Sequence, residues 1–328
     1  MRRVRPSILI VVLLAVTGII AFCAVGIGSQ YVSPGETISI LRGSNSEYAY
    51  IVNHFRIPRV ILALLAGAGL AVSGVILQSI LRNPLASPDV IGITKGAGLA
   101  AVSVIVFLPN SPIFILPVSA FVGAALVAVV LMVFTHKSGA KSSTLALVGI
   151  ALGAICQAAT EFILIKFPVN ANVMLLWLAG SLWGRGWDQL YGLLPWFILL
   201  IPIVIGMSLK LDVLHFGDDI ATGLGVKSNR ARYILLSIAV ALAGLCVATV
   251  GSVGFVGLIA PHMAKRIVGP KHKYSLPVAA LCGGLLLVIA DSIGRGLAPP
   301  IEIPVGILTA IIGVPYFIYL LRFEQKRK

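Results

Sequence analysis

Residues 56–98 read RIPRVILALLAGAGLAVSGVILQSILRNPLASPDVIGITKGAG, and this stretch decides the fold. Two arginines surround a proline at its start, and no charged residue occurs from Val60 to Leu81. An uncharged apolar run of about 20 residues is typical of a membrane-spanning helix. Its small residues would let other helices approach closely, as in a packed polytopic membrane protein. These are Gly67, Ala68, Gly69, Ala71, Ser73 and Gly74.

Composition places the whole chain in the same class. The 328 residues are 59% hydrophobic and 11% charged, with a mean hydropathy of +1.04. A soluble domain would carry about 25% charged residues. A membrane β-barrel would show short alternating segments, whereas these apolar runs are long and continuous. The sequence therefore predicts an all-α membrane protein with a single transmembrane domain, residues 1–328, undivided by any linker.

About ten transmembrane helices are predicted from the apolar runs. They cover roughly residues 8–28, 58–81, 90–108, 112–135, 144–165, 190–209, 232–250, 253–264, 276–292 and 303–321. The eighth run is too short for an ordinary span and is interrupted by glycines and Pro261. Such a segment exists at membrane depth only when other protein shields it from lipid.

The distribution of charge supports this count. The net charge is +14, and with a cytoplasmic N-terminus 19 of the 25 Lys and Arg residues fall on the inner side. This asymmetry agrees with the positive-inside rule only if the number of spans is even, which places both termini in the cytoplasm. The basic residues lie between apolar runs and form no patch on a soluble module, so we expect the lipid bilayer, and no nucleic acid, as a partner.

Sequence signatures of catalysis are missing. There is no phosphate-binding loop, no Cys or His pair with metal-ligand spacing and no nucleophile elbow. An ion-coupled secondary transporter usually needs ionisable residues within its spans, and Glu161 is the main acidic candidate. The sequence thus predicts a non-catalytic subunit that binds no metal or cofactor and is energised by another protein. Ion-coupled secondary transport remains a weaker alternative.

Several motifs together resemble the FecCD-type permeases of the ABC importers for iron–siderophores, haem and cobalamin. They are RIPR (56–59), LAGAGLAVSGVILQ (65–78), RNPLASPDVIG (82–92), LVGIAL (147–152), LAGSLWG (178–184), VGFVGLIAPHMAKRIVG (253–269), DSIGR (291–295) and EIPVGILTAIIGVPYF (302–317). The resemblance covers essentially the whole chain.

This resemblance implies the type II ABC importer permease architecture in a bacterial cytoplasmic (inner) membrane. It implies a second permease subunit, identical or paralogous, and two ATPase subunits that carry the ATP. It also implies an extracytoplasmic substrate-binding protein. An iron(III)-siderophore is the expected cargo, with cobalamin or haem as the alternative.

Three outer arginines are the docking candidates that the resemblance suggests. Arg56, Arg59 and Arg295 would receive carboxylates from the binding protein, because guanidinium groups form bidentate, steering contacts with acids. Alternatively, they could anchor the chain at the interface or pair internally with Asp291 or Glu302.

The inner loop 210–230 is the expected ATPase-coupling element. A short helix from Gly217 to Leu224 is predicted there, closed by Gly225, with Asp218 and Asp219 in its first turn. By resemblance this helix would enter a cleft of the ATPase, and Gly223 and Gly225 would allow close approach. An ordinary solvated loop is the alternative.

The gate and pathway candidates lie around span five. Ser142, Ser143 and Thr144 would form part of the cytoplasmic gate or simply cap the helix. Gln157 and Glu161 share one helix face and would line the pathway or make a polar helix–helix contact. Asn83 would shape the turn after span two and share in the inner gate.

Overall fold

The computed structural model describes residues 5–136, 142–297, 299 and 301–325, and this part of the chain is helical without β-strands. The helices are α1 (Pro6–Gly26), α2 (Pro34–Leu41), α3 (Ala49–Ile51), α4 (Ile57–Ile80), α5 (Ile93–Phe107), α6 (Ile115–His136), α7 (Ser142–Lys166), α8 (Ala171–Leu178), α9 (Trp187–Gly206), α10 (Ser208–His215), α11 (Asp218–Gly223), α12 (Ser228–Val250), α13 (Val256–Val268), α14 (His272–Gly296) and α15 (Val305–Gln325).

Ten of these helices coincide with the ten predicted spans: α1, α4, α5, α6, α7, α9, α12, α13, α14 and α15. Among the described residues, seven helices are long and apolar enough to cross a membrane. The short eighth segment is α13, with 13 residues, and most of its first half is buried in the protein. The expectation that other protein shields this segment is therefore confirmed.

The helix α4 forms the centre of the domain. In its most apolar stretch 78% of the residues are buried, compared with 17% in α1 at the periphery. Glycines bring its neighbours into backbone contact, because a methyl group at Gly67 would collide with the Gly283 carbonyl of α14. A methyl group at Gly74 would likewise collide with Gly257 of α13. Small residues at such crossings are how membrane helices pack without a hydrophobic driving force.

The segment between α4 and α5 folds back into the helix bundle. It leaves α4 through Arg82, which has a left-handed backbone with φ of +49°. Pro88 then approaches Gly257 of α13, and Gly92 lies against Gly153 of α7. Gly153 is eleven residues, or about 16 Å, from the start of α7. The polar turn 82–92 therefore extends beside the spanning helices.

Backbone hydrogen bonds join the segment just after α8 to the end of α12 and to the start of α15. The Ser181 N–H donates to the Val250 carbonyl at 2.8 Å, and the Gly306 N–H donates to the Gly180 carbonyl at 3.3 Å. Gly180 and Gly251 both have positive φ, of +70° and +77°. These bonds fix the loops that border the groove described next.

Candidate functional site

An open groove of about 710 Å³ follows one side of α15. Its lining comes from the start of α15, the end of α8, the 252–255 turn and the re-entrant 82–92 segment. The lining residues are Asp89, Leu178, Ala179, Ser252, Gly254, Phe255, Gly306, Ile307, Ala310, Ile311, Val314 and Pro315. The volume is in the range of sites for small molecules, and the lining is mostly apolar. Within this lining Asp89 is the one ionisable side chain, and it accepts a hydrogen bond from Thr94 at 2.8 Å.

Phe255 has an uncommon backbone conformation at the groove. Its φ of +66° is left-handed, which is rare for a bulky residue, and it immediately precedes α13. The ring packs where Gly313 of α15 has no side chain. Strain of this kind persists only where the surrounding structure holds it, and it concentrates at functional positions.

The predicted pathway residues on α7 lie on an exposed face. The Gln157 side-chain amide donates to Glu161 Oε1 at 2.7 Å, and both side chains are exposed. The exposed residues beside the pair on this face are apolar, with Ile150 52% and Ile165 82% exposed. Gln157 is nine residues, or about 14 Å, from the outer end of α7. The structure thus brings the two residues together on a surface that no described residue of this chain covers.

Arg59 is the centre of an ion-pair network at the outer ends of α4 and α14. Its Nη2 lies 2.8 Å from Asp291 Oδ1 and 2.7 Å from Glu302 Oε2. Asp291 is almost fully buried, at 3% exposure, whereas Glu302 is 29% exposed. Arg295 approaches the same aspartate, with Nε 3.0 Å from Oδ2. Asp291 is therefore shared between two guanidinium groups.

Arg56 and Arg295 also bind the outer end of α1. Arg56 donates to the carbonyls of Val25 and Gly26 at 3.2 and 3.1 Å, and Arg295 donates to those of Ala24 and Ile27 at 3.2 and 3.0 Å. Cations at a helix C-terminus satisfy its free carbonyls and complement the helix dipole. Both side chains are buried.

The structure therefore gives all three docking candidates internal partners. For Arg59 and Arg295 these include the internal ion pairs that the sequence left as an alternative. Docking stays a prediction, and of the three only Arg59 has a partly exposed partner that another carboxylate could replace.

Arg185, in the outer loop before α9, received no role from the sequence. Its Nε is buried without a hydrogen-bond partner, and within the described part of the chain no side chain pairs with its guanidinium. Burial lowers the pKa of this guanidinium group, because removal from water disfavours its charged form. The sequence alone does not distinguish this arginine from Arg56, Arg59 and Arg295, because the difference lies in their internal partners, which only the three-dimensional structure shows.

The predicted helix in the inner loop is confirmed as α11, Asp218–Gly223. Gly217 before it and Gly225 after it have φ of +116° and +77°, which explains glycine at both positions. Gly223 has an open neighbourhood, because a methyl group there would meet no atom within 4 Å. Packing within the described part of the chain therefore does not require glycine at this position. The side chains of Asp218 and Asp219 lie outside the described side chains.

A polar bridge beside this helix was not expected from the sequence. Asp212 of α10 contacts His272, the first residue of α14, which in turn contacts Ser79 of α4. The neighbouring His215 has a lowered pKa because of partial burial and the nearby Lys265 ammonium. The three bridging residues are 133 and 60 positions apart in sequence, so no local pattern could reveal them.

The remaining candidates occupy helix ends. Ser142 begins α7, but its side chain and residues 137–141 lie outside what the structure describes. Ser143 is exposed and Thr144 half-buried in the first turn. The Asn83 side-chain oxygen accepts from the Leu85 N–H at 2.9 Å, so it shapes the turn as expected. Among the described residues no group of three His, Cys, Asp or Glu could hold a metal ion.

Comparison with known proteins agrees with this arrangement. Residues 9–323 match the FecCD transport family. The Fe(3+)-citrate import system permease protein YfmE of Bacillus subtilis is 51% identical, over 100% of this chain and 98% of the relative. The Fe(3+) dicitrate transport system permease protein FecD of Escherichia coli is 44% identical, over 84% of this chain and 86% of the relative. A solved metal-chelate type ABC transporter in an inward-facing conformation has a TM-score of 0.85, with 29% identity over 97% of this chain and 99% of that chain.

The fold and these matches define a multi-pass membrane permease. The chain belongs to the FecCD transport family and has the architecture of an ABC importer permease subunit.

Proposed function

We propose that this chain forms, with a second permease subunit, the translocation pathway for an iron(III) chelate of the siderophore or citrate class. An extracytoplasmic binding protein delivers the chelate, and two separate ATPase subunits supply the energy at the bacterial cytoplasmic membrane. The names of relatives at 51% and 44% identity support iron(III)–citrate as the first cargo to test.

The observation that carries this proposal is the Gln157–Glu161 pair on the exposed face of α7. A carboxylate facing hydrocarbon is costly, and ionisable residues in spans almost always face protein or a water-filled cavity. No side chain that the structure describes in this monomer covers the pair. A second permease opposite α7, with a hydrated pathway between the subunits, removes that cost.

The groove along α15 supports the same role. The re-entrant segment connects the two features, since Asp89 lines the groove and Gly92 lies against Gly153 of α7. The volume of the groove suits a bulky chelate, and the nearly uncharged lining of the groove would not hold such a cargo tightly. Asn83, Ser142, Ser143 and Thr144 would close the cytoplasmic end of this pathway.

Contacts with the soluble partners follow from the two ends of the fold. On the inner side α11, with Asp218 and Asp219 in its first turn and Gly223 and Gly225 at its end, would occupy a cleft of the ATPase. On the outer side a carboxylate of the binding protein would replace Glu302 at Arg59. Arg56 and Arg295 would hold α1 in position beneath that contact.

Reconstitution in proteoliposomes tests the proposal. Uptake of ⁵⁵Fe(III)–citrate should require this chain, the second permease, the ATPase, the binding protein and ATP together. Uptake by this chain alone in an ion gradient would instead identify a secondary transporter. Competition by unlabelled haem or cobalamin, without competition by an iron(III) chelate, would overturn the cargo assignment.

A further inference from the structure

A single buried imidazole joins three helices at the inner side of the domain. The His272 main-chain N–H donates to Asp212 Oδ1 at 2.9 Å, and its Nδ1 donates to the same oxygen at 2.6 Å. On the other side of the ring, Nε2 lies 2.5 Å from the Ser79 hydroxyl. His272 is only 2% exposed. One side chain of α14 therefore connects α10 with α4.

The helix α10 is the element that carries α11. Only Phe216 and Gly217 separate the end of α10 from the first residue of α11. Leu211 and Leu214 of α10 are fully buried against the spanning helices, and Asp212 lies between them in sequence. A displacement of α11 is therefore transmitted directly to a helix that both apolar packing and the Asp212 carboxylate attach to the bundle.

The helices at the far side of this bridge, α4 and α14, act as one unit across the membrane. They touch backbone to backbone where Gly67 meets Gly283. At the outer side the Arg59–Asp291 ion pair joins them again. The pair is thus connected at its inner end, at its middle and at its outer end. Closely packed helices of this kind move as rigid bodies rather than deform.

We propose that Asp212, His272 and Ser79 are positioning residues that attach the coupling helix α11 to the α4–α14 pair. Through this bridge, movement of the ATPase reaches the outer ion-pair network where the binding protein docks. The proposal rests on the ABC importer function proposed above. Without the bridge, α11 still binds the ATPase, but only the apolar packing of α10 passes its displacement to α4 and α14, so coupling is weaker.

The test uses the complete importer in lipid nanodiscs or proteoliposomes, with ⁵⁵Fe(III)–citrate as the probe. For each variant the number of ATP molecules hydrolysed per cargo ion imported is measured, together with subunit assembly and basal ATPase rate. Asp212→Ala removes both bonds to His272, and Ser79→Ala removes the bond to α4. Ser103→Ala is the matched control, because the Ser79 and Ser103 hydroxyls both donate to the carbonyl four residues earlier, at 2.8 and 2.7 Å. Among the described residues, however, the Ser103 hydroxyl makes no hydrogen bond to another helix.

We expect Asp212→Ala to raise the ratio of ATP to cargo about two- to tenfold, with assembly and basal hydrolysis unchanged. Ser79→Ala should change the ratio in the same direction by a smaller factor, and Ser103→Ala should match the original protein. An unchanged ratio in an assembled Asp212→Ala complex would overturn the proposal. If that variant does not assemble, the same ratio is measured for His272→Asn, which keeps a donor towards Asp212 and loses the contact with Ser79. A raised ratio would then support the proposal, and an unchanged ratio would overturn it. Absence of ATP-driven uptake by the unaltered complex would instead contradict the proposed function.

Discussion

Arg59 and Asp291 face each other across the outer ends of α4 and α14, with Nη2 2.8 Å and Nε 3.0 Å from the same carboxylate oxygen. Asp291 also lies 3.0 Å from Arg295, so one buried carboxylate balances two guanidinium groups. Removing one member of a buried ion pair leaves an uncompensated charge, which is strongly destabilising.

Asp291→Asn should therefore destabilise the domain by about 3–5 kcal/mol. Thermal unfolding of the purified chain in detergent measures this effect. Glu302→Gln is the control, because its carboxylate is 29% exposed and a partly exposed pair contributes only about 1 kcal/mol or less. Equal melting temperatures for the two variants would show that burial of Asp291 does not determine the strength of this network.

The same control variant tests docking through Arg59. If a carboxylate of the binding protein replaces Glu302, then Glu302→Gln removes the internal competitor and leaves Arg59 free to receive it. The binding protein should associate about 1.4- to fivefold more tightly with this variant, since an exposed pair contributes about 0.2–1 kcal/mol. Affinity is measured by biolayer interferometry at low and high salt. Unchanged or weaker binding at low salt would argue against Arg59 as the contact.

Arg185 offers a contrast with the internally bound arginines. Because its guanidinium has no partner in the described part of the chain, Arg185→Gln should leave the melting temperature unchanged. If this outer cation steers the binding protein, the variant should bind it several-fold more weakly at low salt and almost normally at high salt. A lower melting temperature would show that Arg185 is structural. Unchanged affinity at low salt would exclude a docking role.

The sequence predicted the ten spans because long apolar runs and the distribution of basic residues are local signals. It also predicted α11, since Gly217 and Gly225 occupy backbone conformations that favour glycine. The sequence could not assign the ion pairs of Arg59, which it left as one alternative, and it gave no sign of the bridge through His272. Arg59 and Asp291 are separated by 232 positions, and their pairing depends on how α4 packs against α14. Charge alone could not distinguish a docking arginine from an internally paired one.

The close contact of α4 with α14 should be sensitive to a single methyl group. Gly67→Ala places a Cβ against the Gly283 carbonyl, and neither backbone can move without separating the two helices. Overpacking of this kind costs about 1–3 kcal/mol. The melting temperature should therefore fall for Gly67→Ala. It should not fall for Gly18→Ala on α1, where an added methyl group meets no atom within 4 Å. Equal stability of the two variants would mean that the crossing has room to adjust.

Gly223 on α11 distinguishes packing within this chain from contact with the ATPase. A Cβ added there meets no described atom within 4 Å, so we expect Gly223→Leu to fold and insert normally. If α11 occupies a cleft of the ATPase, however, the added side chain collides with that subunit, and uptake should be lost while the purified chain keeps its melting temperature.

Gly192→Leu on α9 is the matched control, since that glycine also has open space around it but lies far along the chain from the coupling element. Pull-down of the ATPase and ⁵⁵Fe(III)–citrate uptake are measured for both variants. Normal uptake by Gly223→Leu would place the ATPase contact elsewhere on the inner surface.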